Sequence, residues 1–340
     1  MDTNNLTKFL SDLISINSVT GNELEALIYL ENELSTLGLN IERIPVAENR
    51  YNLFCTYGNP DILFTTHIDV VPALDNQFLP AIKDGRIYGR GACDAKGVLV
   101  SMIFAIKTLI HNGHRDMALL VVVGEEIDGI GAITASKYLA DRKIKYTING
   151  EPTEGKLVSG HKGGVCFNVK ITGRSCHSGY PEQGEDANKK LIELSHALYQ
   201  ANWGEDPILG KGTINLGEIS GGKANNIVSD LSNVSGMVRT VGNNNQVTKQ
   251  LRLLSKPYGE ISFFYNAEAV KLKTLPSFET GVVAYCTDIP QLLPIGGEFL
   301  MYGPGTINEA HTVNESIAIS ELEKAVNDYQ KIYRELTTLR

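Results

Sequence analysis

Three short apolar runs, Ile62 to Phe64, Leu119 to Val123 and Tyr146 to Ile148, each stop within a few residues of a histidine or a glutamate: His67, Glu125 with Glu126, and Glu151. Runs that are apolar at consecutive rather than alternate positions read as strands buried on both faces, and amphipathic stretches near 96–112 and 130–141 lie among them. That rhythm predicts an α/β fold with a mixed sheet covered by helices. In open sheets of this kind, sites form beyond the carboxyl ends of the strands. Residues far apart in sequence are therefore expected to converge on one edge.

Ahead of the sheet, Leu6, Phe9, Leu10 and Leu13 repeat at helical spacing. A second helix is expected to begin at Thr20, with Glu23 completing a capping box, and to end at Gly38. After Gly163 the pattern changes. Residues 164–172 alternate as a strand, and 185–202 carries Leu191, Leu194, Leu198 and Tyr199 on a helix. Strands are expected at 212–220 and 227–240, a turn at GNNNQ (242–246), a helix near 246–255 and a strand at 259–266. The order β-α-β-β-α-β is the ferredoxin-like split motif, and the span 163–272, roughly 110 residues, is an ordinary domain size. The chain then returns to α/β character, with an apolar strand near Phe299 to Met301 and a last helix from about Ser316 to Leu339. Residues 1–162 and 273–340 are therefore expected to form one domain, interrupted by the other. The chain of 340 residues is long enough for this, since single cores stop growing near ~250 residues.

A net charge of −8 without a basic run argues against a nucleic-acid surface, which needs clustered Lys and Arg. The stretch MDTNNLTKFLSDL lacks a cationic segment followed by an apolar one, and no segment approaches the ~18 apolar residues of a membrane span. A cytoplasmic protein with no membrane partner is expected. Five scattered cysteines without a CxxC fit neither a disulfide framework nor a thiolate zinc site, so ordinary reduced thiols are expected.

His67 and Asp69 in TTHIDVV, Asp94 in GRGACDAKG, the Glu125–Glu126 pair, Glu151 in NGEPT and His311 in EAHTVNE carry the chemistry. Taken singly, each has a plainer reading: a buried polar pair, a turn aspartate, a solvated acidic face. Their joint occurrence at strand ends points to a metal centre. Histidine and carboxylate ligands without thiolate suit zinc, cobalt or manganese, and five ligands exceed what one open tetrahedral ion requires. Two ions are implied, and Asp94, in a glycine-rich turn before a helix, is the candidate bridge. Of Glu125 and Glu126, one can ligate while the other acts as base. Asp69 is suited to holding the His67 imidazole by its other ring nitrogen.

THIDVVP, YGRGACDAKG, VVGEEIDGIGA, NGEPT, RSCHSGYPEQGEDAN, GGKANNIV and GPGTINEAHTVNES together resemble the di-zinc amidohydrolase and metallopeptidase superfamily of acetylornithine deacetylase, succinyl-diaminopimelate desuccinylase, aminoacylase and glutamate carboxypeptidase. The resemblance spans nearly the whole chain in the family's order. It implies a zinc-aminopeptidase-like catalytic domain interrupted by a lid domain that mediates homodimerisation. It further implies two Zn2+ per subunit, with Co2+ or Mn2+ as substitutes. His67, Asp94 and Glu151 would hold one ion and Asp94, Glu126 and His311 the other, with Glu125 as general base and Asp69 orienting the first histidine. A cis Asp94–Ala95 peptide bond is implied too. In the lid, His177 matches a histidine that stabilises the oxyanion in the partner subunit's site, and Asn226 and Arg239 match positions that bind the substrate's carboxylate.

The sequence departs from the family at Ser229, where proline is frequent, at Ala95, where methionine is frequent, and in the short segment 276–295. Every implied ligand is intact. Hydrolysis of an N-acyl amino acid is expected, with acetylornithine as the leading substrate. Succinyl-diaminopimelate, carrier-linked lysine or ornithine, and dipeptides or C-terminal residues are the alternatives, and a catalytically silent binding or scaffold relative is the alternative of another class.

Overall fold

The computed structural model describes residues 2–339. The chain forms two compact units, one made of Met1–Ser159, Leu272–Gly281 and Thr287–Arg340, the other of Gly160–Lys271 and Val282–Cys286. The short return of the chain through Val282–Cys286 to the second unit has no counterpart in the sequence reading.

In the first unit a six-stranded sheet runs in the order Asn40–Ala47, Arg50–Tyr57, Met117–Val122, Ile62–His67, Tyr146–Asn149, Glu298–Met301. The hairpin Asn40–Ala47/Arg50–Tyr57 is antiparallel and the four strands from Met117–Val122 onward are mutually parallel. Every residue of Ile62–His67 and of Met117–Val122 is buried, which is why these strands are continuous apolar runs. One face meets the helices Thr3–Ser15, Leu24–Ser35, Lys96–His111 and Ile319–Thr338, whose Leu10, Leu27, Val98 and Tyr329 share a core with Phe64, Leu119 and Ile148. Helix Ile130–Leu139 packs over Asn40–Ala47, Arg50–Tyr57 and Met117–Val122. Parallel strands place their carboxyl ends on one edge, so His67, Glu125, Glu126, Glu151 and the segment after Met301 are all delivered there.

The second helix departs from expectation. It spans Leu24–Ser35 with Glu23 at its N-cap and no side-chain cap. The Thr20 hydroxyl donates to Asp69 Oδ2 at 2.7 Å instead, and the Glu23 carboxylate pairs with Arg50 at 2.6 Å. Both side chains of the supposed capping box have stronger, charged partners elsewhere.

In the second unit an antiparallel sheet has the order Thr213–Gly221, Leu231–Thr240, Gly163–Thr172, Glu260–Ala267. Helices Ala187–Gln200 and Asn244–Ser255 bring Leu191, Leu194, Leu198, Val247 and Leu251 onto Val165, Phe167, Val169 and Ile171. The connectivity is the ferredoxin-like β-α-β-β-α-β. The polar stretch 242–246 is less of a turn than expected, because the Asn243 side chain caps the helix by accepting from Asn245 N, starting it at Asn244.

Candidate metal centre

His67 ends its strand with the imidazole buried, and its Nε2 lies 3.1 Å from Asp94 Oδ1. On the other side, His311 Nε2 lies 3.4 Å from Asp94 Oδ2 and 3.1 Å from Glu126 Oε1. The two oxygens of Asp94 therefore face two different imidazoles, the geometry expected of a bridging carboxylate. Asp94 is presented by the turn before helix Lys96–His111, and the Asp94–Ala95 bond is cis. Gly97 permits this turn, since a Cβ there would stand 2.1 Å from the Ala92 carbonyl oxygen. Ligand atoms of His67, Asp94 and Glu126 all lie within 4.8 Å of one another.

Glu151 is 5 % exposed, and its Oε1 is 3.5 Å from Asn149 Nδ2. Burial, opposed by His67 and reinforced by Asp94, Asp288 and Glu126, pushes its carboxyl well above the usual range. Glu125 is pushed well above it too, by burial and, against His67, by Glu151, Asp288 and Glu126. Asp94 goes the other way: burial would raise it, but hydrogen bonds from His311 and His67 hold it low. The same contacts, to Asp94 and then Glu126, push His311 up to about 10. Burial would depress His67, yet Asp69 and Asp94 hold it well above its ordinary value. Carboxylates thus outnumber the imidazoles that face them. A surplus of this kind, with nitrogen and oxygen donors converging, fits divalent zinc, cobalt or manganese.

The second layer divides the role expected of Asp69 between its main chain and its side chain. The nearest partner of His67 Nδ1 is the Asp69 backbone carbonyl at 2.9 Å, while the Asp69 carboxylate stands 3.7 Å away. That carboxylate accepts instead from the amides of Glu125 and Glu126, both at 3.2 Å, and from Thr20. Asp69 therefore meets His67 with its main chain and, at longer range, with its carboxylate, and holds the Glu125–Glu126 turn with its side chain. Residues that the sequence reading did not single out also serve the site. Glu315 accepts from the Cys93 and Asp94 amides, Arg90 pairs with Glu315, and buried Asp288 has its carboxyl pushed up to about 7, chiefly by burial. Glu315 lies four residues beyond His311 in the same motif, the one signal that could have marked it.

In the second unit, exposed His177 accepts at Nδ1 from Gly179 N at 3.0 Å and bridges to Ile227. Ser178 N donates to the Asn226 carbonyl at 3.0 Å, so His177 and Asn226 are neighbours. Arg239 is not brought to them. It lies at the far end of its strand opposite Gly164, where Nη1 is 3.4 Å from Cys286 Sγ.

The family model described as peptidase family M20/M25/M40 matches residues 63–335. A peptidase M20 domain-containing protein of Schizosaccharomyces pombe is 37% identical over 96% of this chain and 84% of its own length. A probable carboxypeptidase of Aspergillus clavatus is 34% identical over 96% of this chain and 87% of its own. Among solved structures, a tripeptidase of Staphylococcus aureus superposes with a TM-score of 0.82 at 23% identity, over 97% of each chain, a likeness of fold. No helix among the described residues is long and apolar enough to cross a membrane. The family match runs through every candidate ligand from His67 to His311, and on that extent this protein belongs to peptidase family M20/M25/M40, as a hydrolase of the metallopeptidase class.

Proposed function

We propose that the protein hydrolyses the amide bond that joins an acyl or peptidyl group to an amino acid with a free α-carboxylate, and that short peptides cleaved at their C-terminal residue are its main substrates. The observation that carries the reading is the Asp94 carboxylate turned to His67 with one oxygen and to His311 with the other. The peptide side of the class is supported by the likeness to the probable carboxypeptidase of Aspergillus clavatus. N-acyl amino acids such as acetylornithine fall within the same bond type.

His67, Asp94 and Glu151 would hold one divalent ion, and Asp94, Glu126 and His311 the other. Bound there, the pair would supply Lewis acidity toward the scissile carbonyl and lower the pKa of the attacking water. The protein's own residues do the rest. Glu125, anchored through its amide by Asp69, takes the proton of the water on its carboxylate and returns it to the departing amine nitrogen. His177 donates to the developing oxyanion, and its neighbour Asn226 receives the substrate carboxylate; Arg239, at the far end of its strand beside Cys286, is left out of that contact. The homodimer expected through the second unit is part of the same proposal.

The test is amine release by the zinc-loaded protein from matched short peptides, their C-terminally amidated analogues, N-acetylornithine, succinyl-diaminopimelate and other N-acyl amino acids. Release of the C-terminal amino acid from free-carboxylate substrates, and none from amidated ones, is expected. Release of N-terminal residues, or indifference to amidation, would overturn the reading.

A further inference from the structure

A buried carboxylate outside the proposed ligand set joins two halves of the centre. Glu315 is 1 % exposed. Its Oε1 accepts from the amides of Cys93 at 3.0 Å and Asp94 at 3.1 Å, and its Oε2 pairs with Arg90 Nη1 at 2.5 Å. Its own carbonyl accepts from Gly89 N at 3.0 Å. These contacts all lie in the turn that presents Asp94, whereas Glu315 itself belongs to the segment that carries His311.

Packing alone does not account for this arrangement. Apolar side chains of similar volume would fill the space with equal or better stability than a buried ion pair. They would offer no acceptor to two amides of a turn without regular structure. Fixing the Asp94 amide fixes the peptide plane from which its carboxylate projects. His67 has separate support, through the Asp69 carbonyl and a strand end that is wholly buried. His311 has less: its side chain is 47% exposed, its φ is +63°, and its ring meets Asp94 and Glu126. Its place depends on how its segment is anchored.

We propose that Glu315, held by Arg90, is the positioning residue that keeps the Asp94 carboxylate and the His311 segment in register. Affinity for the ion assigned to Asp94, Glu126 and His311 then depends on it more than affinity for the ion assigned to His67, Asp94 and Glu151. The inference rests on the two-ion reading above.

Glu315→Ala alone would strand a buried guanidinium, so two paired variants of the full chain are compared. Arg90→Met with Glu315→Ala leaves no acceptor; Arg90→Met with Glu315→Gln keeps an oxygen for the amides, and neither leaves a buried charge. Metal-stripped proteins are titrated with Zn2+ by calorimetry, and their thermal unfolding is followed without metal. The Met/Ala pair is expected to lose ~10- to 100-fold in affinity for one ion, as loss of a ligand's supporting hydrogen bonds does, with the other little changed, and the affected binding step is to be the one that His311→Ala removes. The Met/Gln pair is expected to recover most of that loss. Wild-type affinity for both ions in both variants would overturn the proposal. So would an equal loss at both sites in both variants, tracking a fall in melting temperature, which is what a purely structural role produces. A wild-type protein that takes up fewer than two ions would overturn the two-ion reading, and this inference with it.

Discussion

Asp69→Asn separates the two ways in which an acid beside a metal-ligating histidine can act. The side chain keeps its shape but exchanges one acceptor oxygen for a donor. In the native protein the carboxylate receives Thr20 Oγ1 at 2.7 Å and the Glu125 and Glu126 amides at 3.2 Å. The asparagine oxygen serves one side of this arrangement, and its NH2 faces donors on the other. A lost hydrogen bond to a charged group costs about 1.5–3 kcal/mol, and an amide left without an acceptor adds about 1 kcal/mol where, as here, its residue is only half-buried, so the metal-free protein should lose roughly 2.5–4 kcal/mol. His67 keeps its main-chain acceptor at 2.9 Å, hence its Nδ1–H tautomer with Nε2 turned toward Asp94. The first ion should therefore bind with less than a ~10-fold loss, below the range usual for removing a histidine's supporting partner. The Glu125 turn, by contrast, loses its anchor, so kcat should fall by about 10²-fold, the lower range for a misplaced general base, with KM little changed. Urea unfolding, zinc titration and steady-state kinetics at saturating metal measure the three quantities. A hundredfold loss of first-ion affinity with wild-type turnover of the loaded enzyme would refute the reasoning. It would mean that the carboxylate acts through the imidazole. The stability difference also has a sign in pH. Burial would raise Asp69, but His67, Thr20 and the Glu126 amide hold it below the ordinary aspartate range. Its contribution is thus complete above that range and disappears as pH falls through the depressed value, so wild type and variant should converge in strong acid.

Glu125→Gln should cut kcat by ~10²–10⁴-fold, the scale of a lost general base, while calorimetry still counts the wild-type number of ions. His177→Ala should lower kcat by ~10²–10³-fold, as losing an oxyanion donor does, with metal content unchanged; an unaltered kcat would remove His177 from the reaction. Chelation should abolish activity and lower the melting temperature, and both should return with Zn2+ or Co2+ in proportion to the free-ion concentration. Lys96 is fully buried with Nζ donating to the Leu13 and Ile16 carbonyls, and burial pushes it down to about 7. Between that value and the ordinary lysine pKa the unfolded chain binds the extra proton, so stability should rise with pH there by about 1.4 kcal/mol per unit relative to Lys96→Met. Parallel unfolding curves for the two proteins from pH 7 to 10 would show that Lys96 is neutral or charged in both states alike.

What could be read in the sequence, and what could not, divides by the distance over which each residue finds its partner. The parallel strands were legible because burial on both faces demands consecutive apolar residues, as in Ile62–His67 and Met117–Val122. His67, Asp94, Glu126 and His311 were legible as a group because strand ends and a glycine-rich turn are where an α/β sheet gathers polar chemistry. Thr20 and Glu23 were misread because the capping-box pattern is local, whereas their partners, Asp69 and Arg50, lie 49 and 27 residues away. Asp69 was half-read. A residue carries two kinds of acceptor, and only coordinates tell the carbonyl at 2.9 Å from the carboxylate at 3.7 Å. Glu315 and Asp288 were missed for a related reason: a single acid in a loop has no periodicity to mark it, and its meaning comes from Arg90, Asp94 or the buried carboxylates it meets. The residues that local patterns miss are therefore those that lock distant segments together. Here they are also the ones that aim the ligands, since Asp69 holds the Glu125–Glu126 turn and Glu315 the Asp94 turn, each across more than fifty residues of chain. The precision of the centre thus depends less on the ligands themselves than on a few buried acceptors, which stand beside ligands in the sequence but find their donors far along the chain.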